Sequence, residues 1–212
     1  AGLQLVNDYV SPEEEAALMA EVDARQWAGN GIGPNPEVRR RTQQYGYEFS
    51  YRYRKVMRKI DEDMPASMVC MLDRLASDPR QLWASECGHP GKDCSAEEQL
   101  CERAHALLPP DSVIVNEYEP GQGEQPVYLD APLLFGPIVC SLSLLSDCVM
   151  VFDDIERPGW SFRLLLPRRS LLVMRGYSRY RLRHSIGKEL LDTIDDMTIE
   201  RHRRVSLTIR RI

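Results

Sequence analysis

No apolar run in this sequence approaches the roughly 20 residues needed to cross a bilayer, and none of its residues argue for a membrane partner. The opening AGLQLVNDYV lacks the charged start and cleavage pattern of a signal peptide. Cysteine is too sparse for a secreted disulfide framework: six residues (Cys70, Cys87, Cys94, Cys101, Cys140, Cys148) are spread through 212. They read as mostly reduced thiols in an intracellular protein, cytoplasmic or mitochondrial. Positive charge is not in excess either. A formal net charge of −5 argues against whole-surface attraction to nucleic acid, while leaving local basic patches free to bind phosphate. No internal repeat or low-complexity segment divides the chain.

What is there suits one domain over residues 1–212, since 43% hydrophobic and 28% charged residues are ordinary for a globular chain long enough to bury a core. Ser11-Pro12-Glu13-Glu14 predicts a helix start, with Ser11 as cap and Glu14 completing a capping box; Leu18 and Val22 then share a face of a helix running to about Trp27. Gly29 to Pro36 is a loop. In Arg39 to Ile60, basic residues including Arg39, Arg40 and Arg41 are interleaved with Tyr45, Tyr47, Phe49, Tyr51 and Tyr53, whose period of two predicts one aromatic face of a strand. Two readings stand: a buried aromatic face with solvated arginines, or a surface on which bases stack while guanidinium groups hold phosphates. Pro65 to Asp78 predicts a second helix through Met68, Leu72 and Leu75. Residues 87–108 read as an insertion in which Cys87, His89, Cys94, Cys101 and His105 offer N and S ligands for a structural zinc, although their spacing matches no standard finger.

From Pro109 onward short strands recur between turn residues: SVIVNEY, PIVCSLSL, DCVMVFDD, SFRLLLP, RSLLVMRG and RRVSLTIRRI. Helices followed by strands at this rhythm predict a mainly β, α+β architecture, a sandwich or barrel with amino-terminal helices on one face. In the last strand Arg204, Ser206, Thr208 and Arg210 alternate with apolar residues and share a side. Two readings stand for them: two arginines reaching inward from positions about 20 Å apart along a strand suit the ends of a short dicarboxylate, or both lie solvated on an outer sheet face. Asn116 and Tyr118 share a face of their own strand. Asp130 and His184 are the residue types an oxygen-activating iron site uses, with two His and one carboxylate on one triangular face.

RRTQQYGYEF, NEYEPGQG, IVCSLSL with SDCVM, LPRRSLLVMRGYSRY, His184 and RVSLTIR together resemble the AlkB family of iron- and 2-oxoglutarate-dependent dioxygenases, most closely its eukaryotic branch that oxidises a modified wobble uridine of tRNA. The resemblance covers nearly the whole chain and implies a double-stranded β-helix, or jelly roll. It places the 2-oxoglutarate positions on Asn116, Tyr118, Arg204 and Arg210 and metal ligands on Asp130 and His184. The family's H-x-D falls on Tyr128-Leu129-Asp130, so Tyr128 stands where the first iron-binding His belongs. A phenol with a reference pKa of about 10 must lose its proton to coordinate well, whereas imidazole binds Fe(II) neutral.

The expected function is therefore a degenerate, catalytically impaired AlkB-like domain kept for RNA binding or for a place in a ribonucleoprotein or other assembly. The alternative is an active dioxygenase acting on a modified RNA, with Fe(II) and 2-oxoglutarate as cofactors. Arg40, Arg41, Tyr45, Tyr47, Arg179, Arg181 and Arg183 form the expected nucleic-acid surface, and protein partners fit the net acidity.

Overall fold

The computed structural model describes residues 2–83, 109–128 and 134–212. Two antiparallel sheets pack face to face. The larger has six strands in the order β1 (Leu3–Val6), β10 (Leu171–Arg175), β7 (Ile138–Leu144), β14 (Arg204–Arg210), β5 (Ser112–Tyr118) and β2 (Thr42–Tyr45). The smaller has four: β6 (Glu124–Tyr128), β11 (Leu182–Ile186), β8 (Cys148–Asp154) and β9 (Ser161–Leu166). Two hairpins complete the strands, β3 (Tyr47–Ser50) with β4 (Lys55–Lys59), and β12 (Leu191–Ile194) with β13 (Met197–Glu200). This is the sandwich expected from the strand rhythm, in the jelly-roll arrangement that the resemblance implies.

Period-two alternation decides what each face of the large sheet does. Val113 and Val115 of β5, Leu142 and Leu144 of β7, and Val205, Leu207 and Ile209 of β14 are all fully buried on the outer face. They meet Leu18, Met19 and Val22 of α1 (Pro12–Asp23) and Met68, Met71, Leu72 and Leu75 of α2 (Ala66–Ala76). The other face looks toward the small sheet, where Val139, Leu172 and Met174 pack with Met150, Phe152, Leu182 and Ile186.

The first helix begins as its sequence predicts: the Glu14 amide donates to Ser11 Oγ at 3.2 Å and the Ser11 amide to Glu14 Oε2 at 2.8 Å. It ends at Asp23 rather than near Trp27, because Gln43 Nε2 from β2 donates to the carbonyl oxygens of Val22 and Arg25 at 2.9 and 3.1 Å and so satisfies the helix end from another element. The aromatic alternation also breaks. Gly46 has φ +78°, and a Cβ there would run into the Asp111 carbonyl oxygen, so the backbone leaves β2 and restarts as β3. Tyr45 is consequently buried against the helices and Phe49 in a separate cluster with Ile114 and Phe135, while Tyr53 stands 62% exposed at the hairpin turn. A single aromatic strand face is not formed. A short helix not foreseen in the sequence, α3 (Tyr177–Arg181), precedes β11.

The β12–β13 hairpin is fastened to β8 by one carboxylate. Asp192, 2% exposed, accepts from the Val149 amide at 2.9 Å and from Arg201 Nε and Nη2 at 2.8 and 2.5 Å. Replacing Asp192 with Ala strands a buried guanidinium, and urea unfolding is expected to show a loss of about 3–5 kcal/mol; an unchanged midpoint would mean that the hairpin is not fastened this way.

Candidate functional site

The inner face of the large sheet is polar where a sandwich core would be apolar. Thr42 pairs in register with Asn116, Asn116 with Ser206, and Ser206 with Ser143, so a row of four polar side chains crosses β2, β5, β14 and β7. All four are at most 4% exposed. Beside them Tyr118 pairs with Arg204, and the Arg204 guanidinium lies 5.6 Å from the Tyr118 ring centre. The Ser141/Ser143 alternation in β7 matched that of β14 in the sequence and was the available signal for this row.

Arg204 is the group that gives the row a purpose. It is 4% exposed, and its Nη2 donates to Ser143 Oγ at 2.8 Å, yet Nε and Nη1 have no hydrogen-bond partner among the described residues. A buried guanidinium costs several kcal/mol in desolvation, and an unmet N–H adds to that. An anion resolves both. Asn116 supplies an amide next to it: Arg40 Nε donates to Asn116 Oδ1 at 2.8 Å, and Asn116 Nδ2 donates to Thr208 Oγ1 at 3.4 Å. Arg210 lies at the far end of β14, its guanidinium 4.3 Å from the Phe135 ring centre. Asn116, Tyr118 and Arg204 are thus brought together, with Arg210 on the same strand face.

The small sheet carries His184 at the middle of β11. Its register partners are Tyr128 of β6 on one side and Phe152 of β8 on the other, with the Phe152 and His184 rings 6.1 Å apart. The turn between β5 and β6 must press close to β11, because a Cβ on Gly123 would collide with the carbonyl oxygens of Ile186 and Gly187. Position 128 is therefore held beside His184. Asp130 lies outside the described residues, as do Cys87, His89, Cys94, Cys101 and His105 of the expected zinc cluster. Among the described residues no three His, Cys, Asp or Glu side chains gather to hold a metal.

The basic residues expected on one surface are dispersed. Arg179, in α3, is 2% exposed and donates to the carbonyl oxygens of Phe135 and Gly136; the helix breaks the alternation that would have aligned it with its neighbours. Arg181 pairs with Glu156 at 3.2 Å, and Arg183 is exposed on β11 in register with Asp153. Tyr45 is buried with its hydroxyl on Gln43, Tyr47 is half-buried in β3, and Arg40 turns toward Asn116. Of the aromatic and basic stretch read as a stacking surface, the hairpin turn keeps the arrangement: Arg52 and Lys55 lie 5.7 and 5.9 Å from the exposed Tyr53 ring. An aromatic ring flanked by cations and open to solvent is suited to a nucleobase and its phosphate.

Arg41 has a structural job instead. Glu117, between Asn116 and Tyr118 in sequence, points to the opposite face, where Arg41 and Arg203 hold it. Burial pushes the Glu117 carboxyl up, but the hydrogen bonds and charges of the two arginines more than offset this and hold it below its ordinary value of 4.5. A carboxyl depressed in the folded state contributes stability that is complete above its unfolded pKa and lost as pH falls through the folded one. Stability measured by urea unfolding should therefore fall with acidification below about pH 4.5, and Glu117→Gln should flatten part of that fall; an identical acid profile in the variant would contradict the assignment.

The 2OG-Fe(II) oxygenase superfamily profile matches residues 2–210, and the chain belongs to that superfamily. It is 33% identical over 229 residues to the alkylated DNA repair protein ALKBH8 homolog of Arabidopsis thaliana, covering all of this chain and 58% of that protein. It is also 33% identical over 193 residues to the tRNA (carboxymethyluridine(34)-5-O)-methyltransferase ALKBH8 of Mus musculus, covering 91% of this chain and 25% of that protein. Within the superfamily it is an AlkB-like oxygenase domain related to the tRNA-modifying branch. It spans less than two thirds of the length of either relative. Among solved structures, OsALKBH1 matches with a TM-score of 0.63 and 14% identity over 100% of this chain and 97% of that one. A Pseudomonas putida prolyl-4-hydroxylase matches at 0.53 and 15%, over 100% and 93%. Both have the same fold.

The superfamily implies 2-oxoglutarate and Fe(II). The dicarboxylate fits the residues present: Arg204 has two buried N–H groups to give, with Asn116 and Tyr118 beside them. Iron does not fit in the same way, because the position paired with His184 carries a phenol rather than an imidazole.

Proposed function

We propose that this domain binds 2-oxoglutarate and RNA with its oxidation chemistry impaired, Tyr128 having replaced the first iron ligand. The register pairing of Tyr128 with His184 carries the reading. A tyrosine at the position paired with the distal His removes one imidazole from the expected donor set, leaving His184 and Asp130, whereas the family's chemistry uses two imidazoles and a carboxylate. Support for a retained cosubstrate pocket comes from Arg204, and support for RNA from the Tyr53 turn and from the mouse relative, which is named for its action on tRNA. No helix of the described residues is long and apolar enough to cross a membrane.

An anaerobic Fe(II) titration with 2-oxoglutarate, followed by a succinate assay, tests the metal site. Weak iron binding and little succinate are expected from the native chain, with tight stoichiometric binding restored in Tyr128→His. Stoichiometric binding and succinate formation by the native chain would replace this reading with that of an active oxygenase. For RNA, Tyr53→Ala is expected to weaken binding of a short single-stranded RNA by about tenfold, and Lys55→Ala to reduce its salt dependence. Unchanged affinity and salt slope in both variants would remove the hairpin from the RNA surface.

A further inference from the structure

Asn116 sits at the centre of the polar row, and a side-chain amide there can present either its oxygen or its nitrogen to the cavity. A carboxylate needs the nitrogen; an amide presenting oxygen would repel it. Nothing on β5 or β14 decides the matter, since Ser206 and Thr208 both carry hydroxyls that can donate or accept. The deciding contact comes from outside the sandwich. Arg40 precedes β2, and its Nε donates to Asn116 Oδ1 at 2.8 Å. A guanidinium has donors only, so the atom that meets it must be the oxygen. Asn116 Nδ2 is left to donate toward Thr208 and the cavity.

The Arg40 guanidinium is itself fixed in place. Its central carbon lies 5.4 Å from the Tyr51 ring and 5.7 Å from the Tyr118 ring, and its Nη2 is 3.4 Å from the Tyr51 hydroxyl. The loop behind it is anchored to β3 by the buried Asn35, which donates to the Phe49 carbonyl oxygen at 2.9 Å and accepts from the Tyr51 amide at 3.0 Å. A cation packed against two rings, on a tethered loop, presents its Nε in one direction.

We infer that Arg40 is a positioning residue for the dicarboxylate pocket: it locks the Asn116 amide with its N–H2 turned to the bound carboxylate. The inference rests on the proposed 2-oxoglutarate pocket and adds a residue to it. Arg40 acts through Asn116, so its contribution vanishes when Asn116 is absent.

The test is a double-mutant cycle on 2-oxoglutarate affinity, measured by titration calorimetry on the full chain in the presence of a metal chelator. Arg40→Met keeps an unbranched stem against the two rings while removing the donor. It is expected to weaken binding about tenfold, and Asn116→Ala by at least as much. Combined with Asn116→Ala, Arg40→Met should add less than about twofold, and Arg40→Lys, which restores a donor, should recover most of the affinity. Arg40→Leu, which also lacks a donor, provides the same comparison where Arg40→Met fails to fold, as judged by circular dichroism. Native affinity in the Arg40 variants, or losses that add in the double variant, would overturn the inference while leaving the pocket in place. Failure of the native chain itself to bind 2-oxoglutarate would overturn the pocket and this inference together.

Discussion

A guanidinium buried between two sheets, with two N–H groups unmet among the described residues, is the constraint around which this molecule makes sense. Arg204 occupies a place where an apolar side chain would stabilise the sandwich at no electrostatic cost. Its neighbours are polar too, arranged by strand register rather than by accident of loops: Thr42, Asn116, Ser206 and Ser143 span four strands on one face. The stability lost there is offset on the other face of the same strands, where the branched residues of β5, β7 and β14 are sealed beneath α1 and α2. One face of the large sheet stabilises the fold so that the other can carry a charge.

The small sheet stands in a different relation to the site. It holds His184 in the centre of a well-paired strand and brings position 128 alongside it, the two positions that the proposed reading assigns to iron. The two halves of the site are thereby separable. The residues proposed to hold the anion lie on β5 and β14, whereas His184 and position 128 lie on β11 and β6.

Much of this was legible in the sequence because strands write their faces at period two. RVSLTIR and SVIVNEY declare their inner and outer residues outright, and the capping box at Ser11 and Glu14 announces a helix start that the structure reproduces. Local pattern failed where distant elements intervened. The alternation from Tyr45 to Tyr53 looked like one strand face, but Gly46 turns the backbone out of it. Arg179, Arg181 and Arg183 looked like one basic edge until α3 placed the first of them in the interior. The Arg40 contact with Asn116 joins residues 76 apart, and the pairing of Tyr128 with His184 joins two strands that no spacing rule links. Such contacts are properties of the fold, visible only after the strands have been assembled.

The central claim, that Arg204, with Nε and Nη1 unmet among the described residues, is placed to receive an anion, is tested most directly by thermal unfolding in the presence of a chelator. With rising 2-oxoglutarate the native chain should gain stability by mass action, about 2.7 kcal/mol at a hundredfold excess over its dissociation constant. Arg204→Met, which exchanges a stranded charge for an apolar side chain, should be at least as stable as the native chain without ligand and should not respond to it. A native midpoint indifferent to 2-oxoglutarate, or an Arg204→Met variant that still responds, would contradict the claim.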